Sequence, residues 1–182
     1  MRKFLTIFLS GLLLTGCASP QSNYARADMT GYESLKDTDH VFYDISVNDM
    51  VEGMDAHKTF VVYFGFAQCP WCQEAVPVLN AVAKENQMQI GYINTRKDPS
   101  WSSNMDIDDY DHVTERLGDY LEYDDDGIKH LYTPHVFFIR EGKVVDEHEG
   151  AVPIEDESRT ELNAYEKEEL KDIYQEGFEE LK

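Results

Sequence analysis

The chain has 182 residues, enough for one domain with a sizeable core and short for two. Sixteen Lys and Arg against 36 Asp and Glu give a formal charge of −20, which argues against nucleic-acid binding and against electrostatic adhesion to anionic lipid. With 42% hydrophobic and 12% aromatic residues it still belongs among folded proteins.

Residues 1–16, MRKFLTIFLSGLLLTG, join a basic start (Arg2, Lys3) to an apolar run from Phe4 to Leu14. That is the pattern of a secretory signal, too short for a comfortable membrane span. The run closes Leu14-Thr15-Gly16-Cys17, which resembles a bacterial lipobox. The resemblance implies that residues 1–16 are removed and that Cys17 is lipidated; ordinary cleavage near Ala18 is the alternative. Two acyl chains would anchor the protein despite its acidity. Residues 17–38 are polar and small, without clear periodicity, and read as a lipidated tether ahead of a domain over 39–182.

Within that domain, Val41 to Ile45 is a strand candidate, and Ser46 caps a helix to about Met54 with Val47, Met50, Val51 and Met54 at helical spacing. Phe60-Val61-Val62-Tyr63-Phe64 reads as a strand buried on both faces. From Ala75 the apolar residues fall at 75, 78, 79, 82 and 83, the stripe of an amphipathic helix over about 70–86, with a kink expected at Pro77. Residues 89–94 are the next strand, so strand, helix and strand form a βαβ unit with parallel pairing. Tyr110, Val113, Leu117, Tyr120 and Leu121 mark a further helix between acidic loops at 106–111 and 124–126. An EF-hand frame set on Gly127 puts Thr133 at its twelfth position, where glutamate is required, so a solvated acidic loop is expected and no metal is assigned. Residues 136–140 and 143–149 flank Glu141-Gly142 as a β-hairpin, and about 157–181 reads as a long surface helix.

Cys69 and Cys72 stand where the core strand gives way to the helix, with Pro70 and Trp71 between them. A cysteine at a helix start faces unpaired N–H groups and the positive end of the helix dipole, which favour thiolate. The second sulfur, close to one turn on, is within bonding reach of the first. A structural zinc needs four ligands, and there is no second CxxC. A disulfide across three residues constrains an unfolded chain little, so exchange chemistry explains the pair better than a structural bridge.

This element order, with a CxxC opening the second helix, resembles the thioredoxin-like superfamily. The family's proline five residues after the second cysteine is met by Pro77, its cis-proline by Thr133-Pro134, its hairpin glycine by Gly142 and the glycine after its last strand by Gly150. FGFAQCPWCQEAVPVLN is especially similar to the thioredoxin-like lipoproteins termed bacteriocin transport accessory proteins. The resemblance implies an α/β fold, a central mixed sheet flanked by helices, with an acidic insertion before the cis-Pro strand. It implies a thiol–disulfide oxidoreductase without cofactor, with Cys69 as nucleophile, Cys72 as resolving thiol, and Trp71, Thr133 and Pro134 facing substrate. Its expected partners are thiols and disulfides of exported or membrane proteins and an extracytoplasmic redox partner. Its expected place is the outer face of the bacterial cell membrane, held there by Cys17. Two departures stand out. The family's buried aspartate before the first cysteine is replaced by Tyr63, for which Glu74 is a candidate substitute, and Pro-Trp between the cysteines leaves redox direction open. A non-catalytic accessory lipoprotein of an export system and a disulfide-introducing oxidase are the competing readings.

Overall fold

The computed structural model describes residues 24–96, 105, 109–154 and 158–182, so Cys17 and the signal segment lie outside the described residues. Phe42–Asp44 forms β1, Val47–Asp55 α1, Phe60–Gly65 β2, Pro70–Glu85 α2 and Ile90–Asn94 β3. Asp109–Leu117 forms α3, Glu122–Tyr123 β4, Lys129–His130 β5, His135–Arg140 β6, Lys143–Glu149 β7 and Ala164–Glu180 α4. Among the described residues no helix is long and apolar enough to cross a membrane.

The main sheet runs β1-β3-β2-β6-β7. Its first three strands are parallel, and β6 and β7 join antiparallel, so the sheet is mixed as expected. Alternation along β2 separates two cores. Val61 and Tyr63 point to the face covered by α2 and α4, whereas Val62 and Phe64 point to the face covered by α1 and α3. Because both faces are covered, β2 is apolar almost throughout and every residue from Val61 to Gly65 is buried.

Local signals set the element ends. Ser46 closes a capping box on α1: its hydroxyl accepts from the Asp49 N–H at 3.1 Å, and the Asp49 carboxylate accepts from the Ser46 N–H at 2.8 Å. The β6–β7 turn places Glu141 at φ 52° and Gly142 at φ 78°, the left-handed pair of a tight hairpin. α2 continues through Pro77 as one helix.

Three expectations change. Residues 24–38 are packed against the domain rather than forming part of a tether. Ala27 donates to the Phe42 carbonyl at 3.1 Å, Asp44 donates to that of Ala25 at 2.9 Å, and Ala27, Met29 and Tyr32 enter the α2/α4 core. The spacing of these buried residues matches neither a helix nor a strand, so no periodicity announces them. α4 begins at Ala164, not near 157, because Asn163 is its N-cap: the side chain accepts from the Tyr165 and Glu166 N–H groups, and Glu166 closes the box. α3 ends at Leu117 and passes into a single 3₁₀ turn over Gly118–Tyr120, followed by the unanticipated β4–β5 hairpin. In that hairpin Asp124 accepts from the Asp126 and Ile128 N–H groups, so this part of the acidic stretch is turn chemistry.

α4 packs closely on the sheet at Gly177, where a Cβ would stand 2.3 Å from the Phe138 ring. Alanine there gains about 1 kcal/mol of helix propensity. Overpacking against a fully buried ring costs about 1–3 kcal/mol. The packing cost exceeds the propensity gain. Gly177→Ala should therefore lower stability by about 1 kcal/mol, read as a lowered midpoint in urea unfolding; a raised midpoint would mean that α4 can move away freely.

Candidate functional site

β2 ends at Gly65, and Phe66–Gln68 turn the chain into α2. Cys69 occupies the N-cap position, with φ −75° and ψ 118°, and Pro70 follows in the first turn, where no N–H is needed. The Cys69 sulfur does what a Ser or Asp oxygen does at other helices: it accepts from the Cys72 backbone N–H at 3.3 Å. Gln73 fixes this turn from the next position. Its amide donates to the Gly31 carbonyl at 2.9 Å, and its side-chain oxygen accepts from the Ser34 N–H at 3.2 Å. The segment before β1 thus braces the cysteine turn, a role with no recognisable signal in the sequence.

The two thiols are free and sit differently. Cys69 keeps 7% exposure and Cys72 has none. The Cys69 thiol is pulled down from 9.0 to about 6, chiefly by hydrogen bonding with the Cys72 thiol and also by the Cys72 N–H and by Thr133. Burial pushes the Cys72 thiol far up. The pair is therefore asymmetric in the sense the helix start implies: the outer sulfur is stabilised as thiolate and the inner one is kept protonated.

Thr133 and Pro134 come from the chain entering β6, remote in sequence and adjacent in space. The bond between them is cis, and the Thr133 carbonyl lies 3.5 Å from the Cys69 sulfur as an acceptor. Trp71 is half-buried and packed against the α2/α4 core. Glu74, the candidate substitute for the missing aspartate, faces Leu162 and Lys167. It is buried, accepts from the Leu162 N–H at 3.1 Å and pairs with Lys167 at 2.9 Å, so its carboxylate is committed to the α2–α4 contact.

What the sequence does not announce is the wall behind Cys72. Tyr63 and Tyr92 are register partners on β2 and β3, and their rings stack with centroids 5.6 Å apart. Tyr32 arrives from the segment before β1; its hydroxyl lies 3.4 Å from that of Tyr63 and donates to that of Tyr92 at 3.2 Å. The Tyr63 hydroxyl interacts with the Cys72 thiol. Pairing of like residues at matched positions of neighbouring strands was a readable signal for Tyr63 and Tyr92; nothing comparable marks Tyr32.

On the outer side of the β6 entry, His135 is fully buried, with Nε2 2.6 Å from Glu147 and its ring stacked on Phe137 at 4.1 Å. No group of three His, Cys, Asp or Glu that could hold a metal occurs among the described residues. No protein-family model matches the chain, and no curated protein matches it significantly.

The lowered Cys69 thiol makes the protein's reactivity and stability depend on pH. Thiolate grows as pH rises through about 6, so alkylation of Cys69 by iodoacetamide should reach half its maximal rate near that pH. The same shift stabilises the reduced fold: the contribution is complete above the unfolded thiol's 9.0 and is lost as pH falls through about 6. A half-maximal rate near 9, the value of an ordinary thiol, would remove the activation assigned to the Cys72 contacts.

Proposed function

We propose that this chain is a thioredoxin-like thiol–disulfide oxidoreductase acting on exported or membrane proteins through Cys69 and Cys72. The observation that carries the reading is the Cys69 sulfur at the N-cap of α2, accepting the Cys72 N–H while the Cys72 sulfur is sealed behind it. An inert buried pair has no need of that asymmetry.

In this reading the Cys69 thiolate attacks one sulfur of a substrate disulfide. That S–S bond breaks, the other substrate sulfur leaves as thiolate and takes a proton from solvent, and a Cys69–substrate disulfide remains. Cys72 then loses its proton and attacks the Cys69 sulfur. The second substrate sulfur leaves, the Cys69–Cys72 disulfide forms, and two electrons have passed to substrate. Run backwards, the same steps oxidise a substrate dithiol; the reduction potential of the pair decides which direction prevails. Thr133 and Pro134 form the wall against which an extended substrate lies. Pro134 has no N–H and its carbonyl is occupied by Gly150 at 2.7 Å, so Thr133 is the residue left to pair with substrate backbone. Trp71 adds apolar surface beside the attacking sulfur.

The division of labour is tested by trapping. Cys72→Ser should accumulate covalent complexes with native partners, seen on a non-reducing gel and lost with reductant, whereas Cys69→Ser should trap none. Equal trapping by both variants would contradict the assigned roles. Absence of trapping by either would favour an accessory protein that uses the fold only for docking.

Anchoring belongs to the same proposal. The Leu14-Thr15-Gly16-Cys17 ending of an apolar run supports lipidation at Cys17 and a site on the outer face of the cell membrane. Cys17→Ala should move the protein out of the processed membrane fraction; a variant still processed and retained there would refute the anchor.

A further inference from the structure

The tyrosines behind Cys72 do more than fill space. Cys72 must lose a proton before it can attack, yet its sulfur has no exposure to solvent. The groups facing that sulfur come from every element around it: Cys69 from α2, Tyr63 from β2, Tyr92 from β3, Tyr32 from the segment before β1 and Tyr174 from α4. Burial holds all four phenols well above their usual range, so none serves as a tyrosinate base. A hydroxyl can nevertheless accept one proton while releasing its own and stay neutral. Three of the four are placed to do this in sequence: Tyr63 beside Cys72, Tyr32 at 3.4 Å from Tyr63, and Tyr92 accepting from Tyr32 at 3.2 Å. Among the described residues the Tyr174 hydroxyl has no hydrogen-bond partner, and it stands outside the chain.

The backbone is adapted to the contact. Tyr63 and Gly65 point to the same face of β2, and the Tyr63 side chain lies along the strand over Gly65. A Cβ on Gly65 would stand 2.1 Å from the Tyr63 oxygen and 3.1 Å from the Cys72 sulfur. Both polar atoms therefore converge on space that only glycine leaves open. Exposure rises along the chain, from none at Tyr63 to 2% at Tyr32 and 3% at Tyr92, and the charges of Asp44 and Asp28 act on Tyr92 at its outer end.

We infer that Tyr63, Tyr32 and Tyr92 form a hydroxyl relay that takes the proton from the Cys72 thiol and delivers it to solvent beyond Tyr92. The inference rests on the exchange reading above and adds a catalytic residue, Tyr63, to it. In the resolving step the Cys72 S–H proton passes to the Tyr63 oxygen, the Tyr63 proton to Tyr32, and the Tyr32 proton to Tyr92, whose own proton leaves to water. The electron pair freed on Cys72 forms the bond to the Cys69 sulfur, and the bond from Cys69 to the leaving sulfur breaks.

Reaction of the reduced full chain with 5,5′-dithiobis(2-nitrobenzoate) separates the two steps. The first thionitrobenzoate is released by Cys69 attack and the second by Cys72 attack. Tyr63→Phe should leave the first release unchanged, slow the second about tenfold, the weight of one hydrogen bond lost from the transition state, and move its rise to higher pH. Tyr32→Phe, which keeps the Tyr63–Cys72 contact, should also slow the second release. A second release of wild-type speed in Tyr63→Phe overturns the inference, and one of wild-type speed in Tyr32→Phe alone overturns the outward path. Should Tyr63→Phe fail to fold, the wild-type chain still decides: its second release, and not its first, should slow in deuterium oxide, and equal rates in both solvents count against the relay. A wild-type chain without a fast first release is a different failure, that of the exchange reading itself.

Discussion

The chemistry proposed for this molecule depends on the hydrogen bonds that Cys72 gives to the sulfur of Cys69, chiefly from its thiol and also from its backbone N–H. A helix start leaves N–H groups unpaired, and the usual remedy is an oxygen from Ser, Thr, Asp or Asn at the N-cap. Here the remedy is a sulfur, and a sulfur accepts better as thiolate than as thiol. The helix start and the charge on Cys69 therefore support one another: whatever keeps α2 seated also favours the Cys69 thiolate. That explains why so many contacts converge on the turn. Gln73 ties it to Gly31 and Ser34, β6 brings Thr133 alongside, and the Cys72 side chain anchors the first turn in the core.

Local geometry, not the overall charge, sets the state of that sulfur. A surface as acidic as this one disfavours a further negative charge, but exposed charges are screened over about 8–10 Å at ordinary ionic strength. Hydrogen bonds at contact distance act in a poorly solvated site where screening is weak, and they pull the Cys69 thiol down to about 6 regardless. The acidity is spent elsewhere. Asp49 and Glu166 close capping boxes, Asp124 builds a turn, and Glu74 joins α2 to α4.

The sequence is most legible where one period dominates. β2 has a single apolar run, α2 a single stripe, and the β6–β7 turn a single Glu-Gly, and each lies where the pattern puts it. The place of Cys69 and Cys72 at the start of α2 and the cis bond at Thr133-Pro134 were legible because each has a local signal, a strand running into a helix and a proline ahead of an apolar strand. Residues whose role comes only from tertiary neighbours were not. Tyr32 sits in a stretch that reads as polar tether, and its value depends on Tyr63 and Tyr92 being 31 and 60 residues away. Glu74 looks like a solvent-facing helix residue until Leu162 and Lys167 arrive from the far end of the chain. The late start of α4 has the same origin: the Leu162 N–H is already bound to Glu74, so the helix opens only beyond it, at Ala164 with Asn163 as its cap.

The use of neutral hydroxyls behind Cys72 also has a physical rationale. A carboxylate there would be a stronger proton acceptor, but it would have to be buried charged or stay protonated, and both are costly next to a fully buried sulfur. Charged, it would also repel the Cys69 thiolate close by and work against the asymmetry on which the proposed first attack depends. Tyrosine avoids both problems, because a relay of hydroxyls moves a proton without any member becoming charged. The corresponding demand is geometric. Each oxygen must lie within hydrogen-bond reach of the next, so the rings must be held in register, and stacking of Tyr63 on Tyr92 with Tyr32 edge-on to Tyr92 at 6.0 Å does this. The N-terminal segment is thereby drawn into the proposed relay: by packing Tyr32 against the sheet, it sets the hydroxyl that links Tyr63 to Tyr92.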